Sequence, residues 1–312
     1  MGAHYFDTDD HYVVVTSSAI KSAPRPLQPY VEHEWTFDSD IQLSSQVYSP
    51  EPKLISIGGN KIGGTSGNTL VIAGPCAVES YDQIDQVSRR LVASGINTLR
   101  GGCYKPRTSP YTFQGLGDEG VGLLIEMRRK YGLSIVTEAR DASNVDNVIR
   151  HADMVQIGTK SMYDYALLSA CGDCRKPILL KRNFGATLRE FLQCAEFIMS
   201  RGNDQVILCE RGIRTFENGT RFTLDLCGVA WLKHHTSLPI IVDPSHAMGK
   251  AYGIPDLARA SVAMDIDGLM LEIHPDPSAA KSDARQQLDL DTFSSLLPSL
   301  RSVAAAIGRT IK

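Results

Sequence analysis

The 312-residue sequence predicts an α/β fold, a (β/α)8 TIM barrel with an N-terminal extended arm and β-hairpin. Two patterns carry that expectation. From Thr69 onward, short β-branched runs alternate with longer helical patterns, the signature of parallel βα units. Eight such units fit into the segment 69–312, in keeping with the count and size of this barrel. A third observation argues against an open doubly wound sheet: no glycine-rich nucleotide loop follows any of the strand-like runs.

The elements follow in chain order. Residues 11–16 read as one strand, whereas Pro24, Pro26 and Pro29 exclude a regular helix across 23–30. Residues 55–64 read as a short hairpin: Ile-Ser-Ile, a turn region through Gly58 and Gly59, then Ile62, Gly63 and Gly64. The expected division is a largely irregular arm at 1–54, a hairpin at 55–68 covering the N-terminal mouth, and the barrel at 69–312. Barrel strands are expected at 70–76, 97–102, 134–139, 154–158, 178–181, 206–210, 240–246 and 268–274, with helices such as 117–130, 187–200, 256–264 and 291–307 between and after them.

Bulk properties narrow the function classes. An apolar share of 43% supplies an ordinary core, and a net charge of −3 gives no whole-chain argument for nucleic acid or an anionic membrane. No apolar run approaches the ~18 residues of a membrane span, and the N-terminus lacks the basic-then-apolar pattern of a leader. Seven cysteines, an odd number scattered through the chain, suit a reduced cytoplasmic protein.

In this barrel type, function sits at the C-terminal strand ends. Two constellations fall there. Cys76, His246, Glu272 and Asp283 combine one soft, one borderline and two hard ligands, a set that suits a divalent transition metal with room for water or a substrate oxygen. Arg100, Lys105, Arg107, Lys160, Lys181 and Arg211 form a cationic set in a partly enclosed mouth, where charge without anionic partners is costly. Six cations are too many for one phosphate, so two phosphorylated substrates are expected.

The motifs Ala73-Gly-Pro-Cys-Ala-Val-Glu-Ser80, Lys105-Pro-Arg-Thr-Ser-Pro-Tyr-Thr-Phe-Gln-Gly115, Cys209-Glu-Arg-Gly-Ile-Arg-Thr-Phe-Glu217, Asp243-Pro-Ser-His246 and Glu272-Ile-His-Pro275 resemble those of 3-deoxy-D-arabino-heptulosonate 7-phosphate (DAHP) synthases, type Iβ branch. The resemblance runs from about Ile55 to the C-terminus. It implies condensation of phosphoenolpyruvate with erythrose 4-phosphate and water, as the first step of the shikimate pathway or in a secondary-metabolism copy. The alternatives are a synthase using a five-carbon or amino-substituted aldehyde and a catalytically silent barrel acting as a regulatory partner.

By the same resemblance, Cys76, His246, Glu272 and Asp283 would hold the metal, with Mn2+ the expected ion and Co2+, Fe2+ or Zn2+ the other candidates. Arg100 and Lys105 would hold the phosphoenolpyruvate carboxylate. Lys160, Lys181 and Arg211, with backbone N–H groups around Gly158 and Thr159, would hold its phosphate. Arg107, Thr108 and Ser109 would take the aldehyde phosphate, and Glu138 would orient the attacking water. Lys105, Glu138, Lys181 and His246 are the expected catalytic residues, in a homo-oligomer (dimer or tetramer) with no nucleic-acid or membrane partner.

Some positions depart from the family pattern. Lys160 stands where arginine is usual, Cys103 where a small residue is usual, and 182–184 and 281–288 differ from the commoner Gly- and Ser-containing versions. Cys76 and Cys103 follow adjacent strands, which leads to the expectation of a disulfide on oxidation without metal. Cys171 and Cys174 form a CxxC expected in a helix-to-strand loop and without a metal role.

Overall fold

The computed structural model describes residues 3–8, 11–105, 109 and 111–312. Eight strands form its centre: β1 (Asn68–Gly74), β2 (Thr98–Arg100), β3 (Ser134–Ala139), β4 (Met154–Ile157), β5 (Ile178–Lys181), β6 (Val206–Glu210), β7 (Ile240–Val242) and β8 (Gly268–His274). Each pairs in parallel with the next, and β8 returns to β1 from Gly268↔Leu70 to Glu272↔Gly74, closing the barrel. Around it lie α1 (Tyr81–Ala93), α2 (Asp118–Tyr131), α3 (Val145–His151), α4 (Tyr165–Asp173), α5 (Leu188–Met199), α6 (Leu226–His235), α7 (Ile254–Ala263) and α8 (Leu290–Ala306).

The strands read as aliphatic runs because both of their faces are covered. Leu70, Ile72, Val136, Met154, Leu179, Ile207, Ile241 and Met270 pack together in the barrel interior. Val71, Ala73, Leu99, Ile135 and Val155 belong to the larger cluster shared with the helices. Close strand approach also fixes one glycine: a Cβ on Gly74 would lie 1.9 Å from the Arg100 carbonyl oxygen. A side chain there would force β1 and β2 apart just below the mouth.

The hairpin Leu54–Ile57 and Asn60–Gly63 turns through Gly58, whose φ of +56° suits glycine. Its Ile57 and Ile62 are fully buried and join the interior cluster. Burying them stabilises the fold by about 1.5–3 kcal/mol each. Asn60 Nδ2 donates to Thr98 Oγ1 at 3.2 Å and Ser134 Oγ at 3.1 Å, so the hairpin sits under the starts of β2 and β3.

The arm differs from expectation in one respect. The strand expected at 11–16 is present as Tyr12–Val15, but it has a partner, His4–Asp7, that the sequence reading missed. The proline-rich stretch holds only a short 3-10 turn, Gln28–Tyr30. Further on, Glu196 of α5 accepts hydrogen bonds from Leu43 N at 3.0 Å, Ser44 N at 2.7 Å and Ser44 Oγ at 2.6 Å, pinning the arm to the barrel wall.

One polar joint between helices gives a pH prediction. Asp85 of α1 meets Lys130 Nζ at 2.7 Å and Tyr131 Oη at 2.7 Å, both of α2, and pairs with Arg89 on its own helix. Burial alone would raise its pKa, but Lys130, Tyr131 and Arg89 together hold it down at about 2. A depressed carboxylate contributes stability above its unfolded value of about 3.9, and loses it as pH falls through the folded value. Asp85→Asn is expected to cost about 1–2 kcal/mol near neutral pH, with the difference from native shrinking between pH 4 and 2. Denaturant melts at several pH values check this; a constant difference would count against it.

Candidate active site

The C-terminal side of the barrel gathers side chains that could hold a metal ion. Cys76 lies two residues beyond β1, Glu272 is on β8, and Asp283 begins a short turn, Ala284–Gln286. Their ligand atoms all lie within 4.8 Å of one another. His246 stands at the edge of this trio, with Nε2 3.4 Å from Glu272 Oε1. The expected strand over 240–246 ends instead at Val242. Asp243 caps, and Pro244 opens, a helix Pro244–Met248 that carries His246 toward the trio.

Protonation in this corner has clear physical causes. Burial, then the Glu272 charge, pushes the Cys76 thiol up to about 12, and Sγ lies 3.3 Å from Asp283 Oδ2 and 2.9 Å from Ser282 Oγ. Burial lowers the pKa of His246 below its ordinary value despite Asp243 and Glu272. The neutral ring then donates Nδ1–H to Asp243 Oδ2 at 2.7 Å and leaves the Nε2 lone pair facing Glu272. That arrangement, an imidazole oriented by a carboxylate, is the usual support of a metal-binding histidine. Asp243 stays well below the usual carboxylate range because His246 and Lys181 outweigh its burial.

Beside this corner sit the cations. Lys181, at the end of β5, pairs with Asp243, and both side chains are at most 3% exposed. Lys105 Nζ donates to Cys76 O at 3.0 Å and lies 3.3 Å from its Sγ. Arg100 donates to Glu272 Oε1 at 2.6 Å and to Pro75 O at 3.0 Å, so it braces a carboxylate of the trio. Arg211 is buried against the Phe222 ring at 4.4 Å, and its Nε and Nη1 have no hydrogen-bond partner among the described residues. Donors left open in a buried guanidinium mark a place for an anion. Lys160 lies exposed on the Thr159–Ser161 turn, after Gly158. Ser109 lies in the loop after β2, partly buried, while Arg107 and Thr108 are outside the described residues.

Glu138, the penultimate residue of β3, is buried, and its Oε2 accepts from Gln156 Nε2 at 3.0 Å. Its other oxygen lies against the backbone of Gly158, where a Cβ would stand only 2.0 Å from Oε1. Three supporting residues escaped the sequence reading: Asp243, Gln286 and Gln287. Only Asp243 had a readable signal, as a helix cap before proline. The expected Cys76–Cys103 pair is not supported by the side-chain directions. Cys103 Sγ turns toward Thr137 Oγ1 at 3.6 Å and the Gly120 position of α2, away from the mouth. Cys171 lies within α4 rather than in a loop, with Cys174 as its cap.

The family model described as DAHP synthetase I family matches residues 42–307. The chain belongs to the DAHP synthetase I family. Within that company, the phospho-2-dehydro-3-deoxyheptonate aldolase of Thermotoga maritima is 42% identical over 304 residues, 96% of this chain and 86% of the relative. The crystal structure of that Thermotoga maritima aldolase (DAHP synthase) aligns with a TM-score of 0.86 at 38% identity, over 100% of this chain and 92% of that one. A 2-dehydro-3-deoxyphosphooctonate aldolase of Methylobacillus flagellatus is 30% identical over 249 residues, 73% of this chain and 88% of the relative. No helix among the described residues is long and apolar enough to cross a membrane.

Proposed function

We propose that this member of the DAHP synthetase I family, whose motifs resemble those of the type Iβ branch, condenses phosphoenolpyruvate with erythrose 4-phosphate and water to give DAHP and phosphate. The observation that carries this reading is the open guanidinium edge of Arg211 at the same mouth as the Cys76, Glu272 and Asp283 trio. An anion site and a metal-ligand set side by side fit an anionic enol and a carbonyl to be polarised.

Cys76, Glu272, Asp283 and His246 would hold a divalent ion, expected to be Mn2+, whose chemistry is Lewis-acid polarisation of the aldehyde carbonyl. A mixed S/N/O donor set that crowds a thiol against two carboxylates fits a cation. Lys181 and Arg211, with Lys160 and the backbone N–H groups at Gly158 and Thr159, hold the phosphoenolpyruvate phosphate. Arg100 and Lys105 hold its carboxylate, while Arg107, Thr108 and Ser109 receive the aldehyde phosphate. The enol C3 forms a bond to the aldehyde carbon, the water oxygen that Glu138 orients adds at C2, and the C2–O bond to phosphate then breaks. The setting is a cytoplasmic homo-oligomer.

Phosphate release from phosphoenolpyruvate tests this reading. Protein stripped by chelator is expected to be inactive, and to recover with Mn2+ only when erythrose 4-phosphate is present. Equal turnover with a five-carbon phosphosugar, or none with any aldehyde, would overturn the assignment in favour of another substrate or a silent barrel.

A further inference from the structure

We propose that Gln286 and Gln287 are positioning residues that set the shape of the metal corner without adding charge to it. The inference rests on the reading of Cys76, Glu272 and Asp283 as ligands. Both glutamines are buried, at 2% and 1% exposure; Gln286 ends the turn that Asp283 begins, and Gln287 caps it. The chain then pairs with β8 at Ile273↔Leu288, so the two side chains are delivered beside the end of β8.

Gln286 Nε2 donates to Glu272 Oε2 at 2.6 Å, and its Oε1 accepts from Arg221 Nη1 at 2.7 Å. Arg100 holds the other oxygen of Glu272 at 2.6 Å, so both oxygens have fixed donors and the carboxylate plane cannot swing. Arg221 also reaches Asp283 Oδ1 at 3.4 Å, which links the two acidic ligands from outside. Gln287 works at the neighbouring strand end, beyond β1. Its Oε1 accepts from Cys76 N at 3.0 Å and its Nε2 donates to Ser282 O at 2.8 Å. It thereby ties the cysteine ligand to the turn where Asp283 sits at φ +48°, a left-handed conformation that non-glycine residues hold only when their surroundings impose it.

An amide is the side chain that this position requires. It offers a donor and an acceptor at once and carries no charge. Glutamate would set another negative group against Glu272 and Asp283, and lysine or arginine would accept nothing from Arg221 or Cys76. Supports of this kind typically set metal affinity by roughly 10–100-fold.

Titration of chelator-stripped protein with Mn2+, followed by the electron paramagnetic resonance signal of the free ion, reads the effect directly. Gln286→Leu is expected to weaken Mn2+ binding at least about tenfold, and Arg221→Met to weaken it in the same direction by less. A merely structural role would lower the melting temperature of the metal-free protein and leave the Mn2+ affinity of the folded fraction where it was. Binding within twofold of native in both variants overturns the proposal. If Gln286→Leu does not fold, Arg221→Met carries the test alone, since its side chain is 41% exposed. A native protein that takes up no Mn2+ would sink the ligand assignment itself, a separate failure.

Discussion

In Lys181→Met, turnover is expected to fall by about 10²–10³-fold, as it does when one preorganised donor is lost, and the metal-free protein to lose about 3 kcal/mol of stability. The two losses have different origins. Turnover falls because the proposed phosphate site loses its point charge at the end of β5. Stability falls because Asp243, fully buried, keeps its negative charge while losing a paired ammonium. Breaking a buried pair from one side leaves the other charge uncompensated, which costs more than the pair was worth. A second change, Asp243→Asn in the same chain, is therefore expected to restore much of the stability and none of the turnover. Denaturant melts and steady-state kinetics on the single and double variants separate the effects. A double variant that regains activity would show that Lys181 serves only Asp243.

Gly158→Ala is expected to lower kcat by about 10²-fold, the scale of a misplacement of about 1 Å in an active site. The added Cβ would stand 2.0 Å from Glu138 Oε1 and 2.8 Å from Cδ. Glu138 must then leave its place, breaking the 3.0 Å bond from Gln156 as it goes. Cys76, Glu272 and Asp283 lie on other elements of the mouth, so Mn2+ affinity is expected to hold within a few-fold. Glu138→Gln, nearly the same shape, supplies the comparison: it keeps the packing and removes the carboxylate. Full activity in Gly158→Ala would remove Glu138 from the mechanism.

The barrel was legible because its signal is repeated. Each strand is a short aliphatic run buried on both faces, and β3, β5, β6 and β8 match the expected bounds residue for residue. Where local rules compete, the reading slipped. Ile240 to Val242 favours a strand, but the Asp243-Pro244 pair starts a helix, so the strand stops at Val242, short of the expected end at His246. The strand His4–Asp7 was missed because it is mostly exposed and its pattern reports no buried face.

The charged and sulfur groups of the site could be found by their type and their place at strand ends. Direction could not. Cys76 and Cys103 follow neighbouring strands, yet one faces the mouth and the other faces α2. Neutral amides such as Gln286 and Gln287 have no signature that separates a support from an ordinary polar residue. Their role depends on what stands opposite them across 14 and 211 positions of chain.

The hairpin beneath the barrel bears on traffic. With Ile57 and Ile62 closing the axis from below and aliphatic side chains filling the interior above them, no passage runs through the barrel. Whatever reaches Lys181 or Arg211 therefore arrives and leaves on one side, that of the strand C-termini.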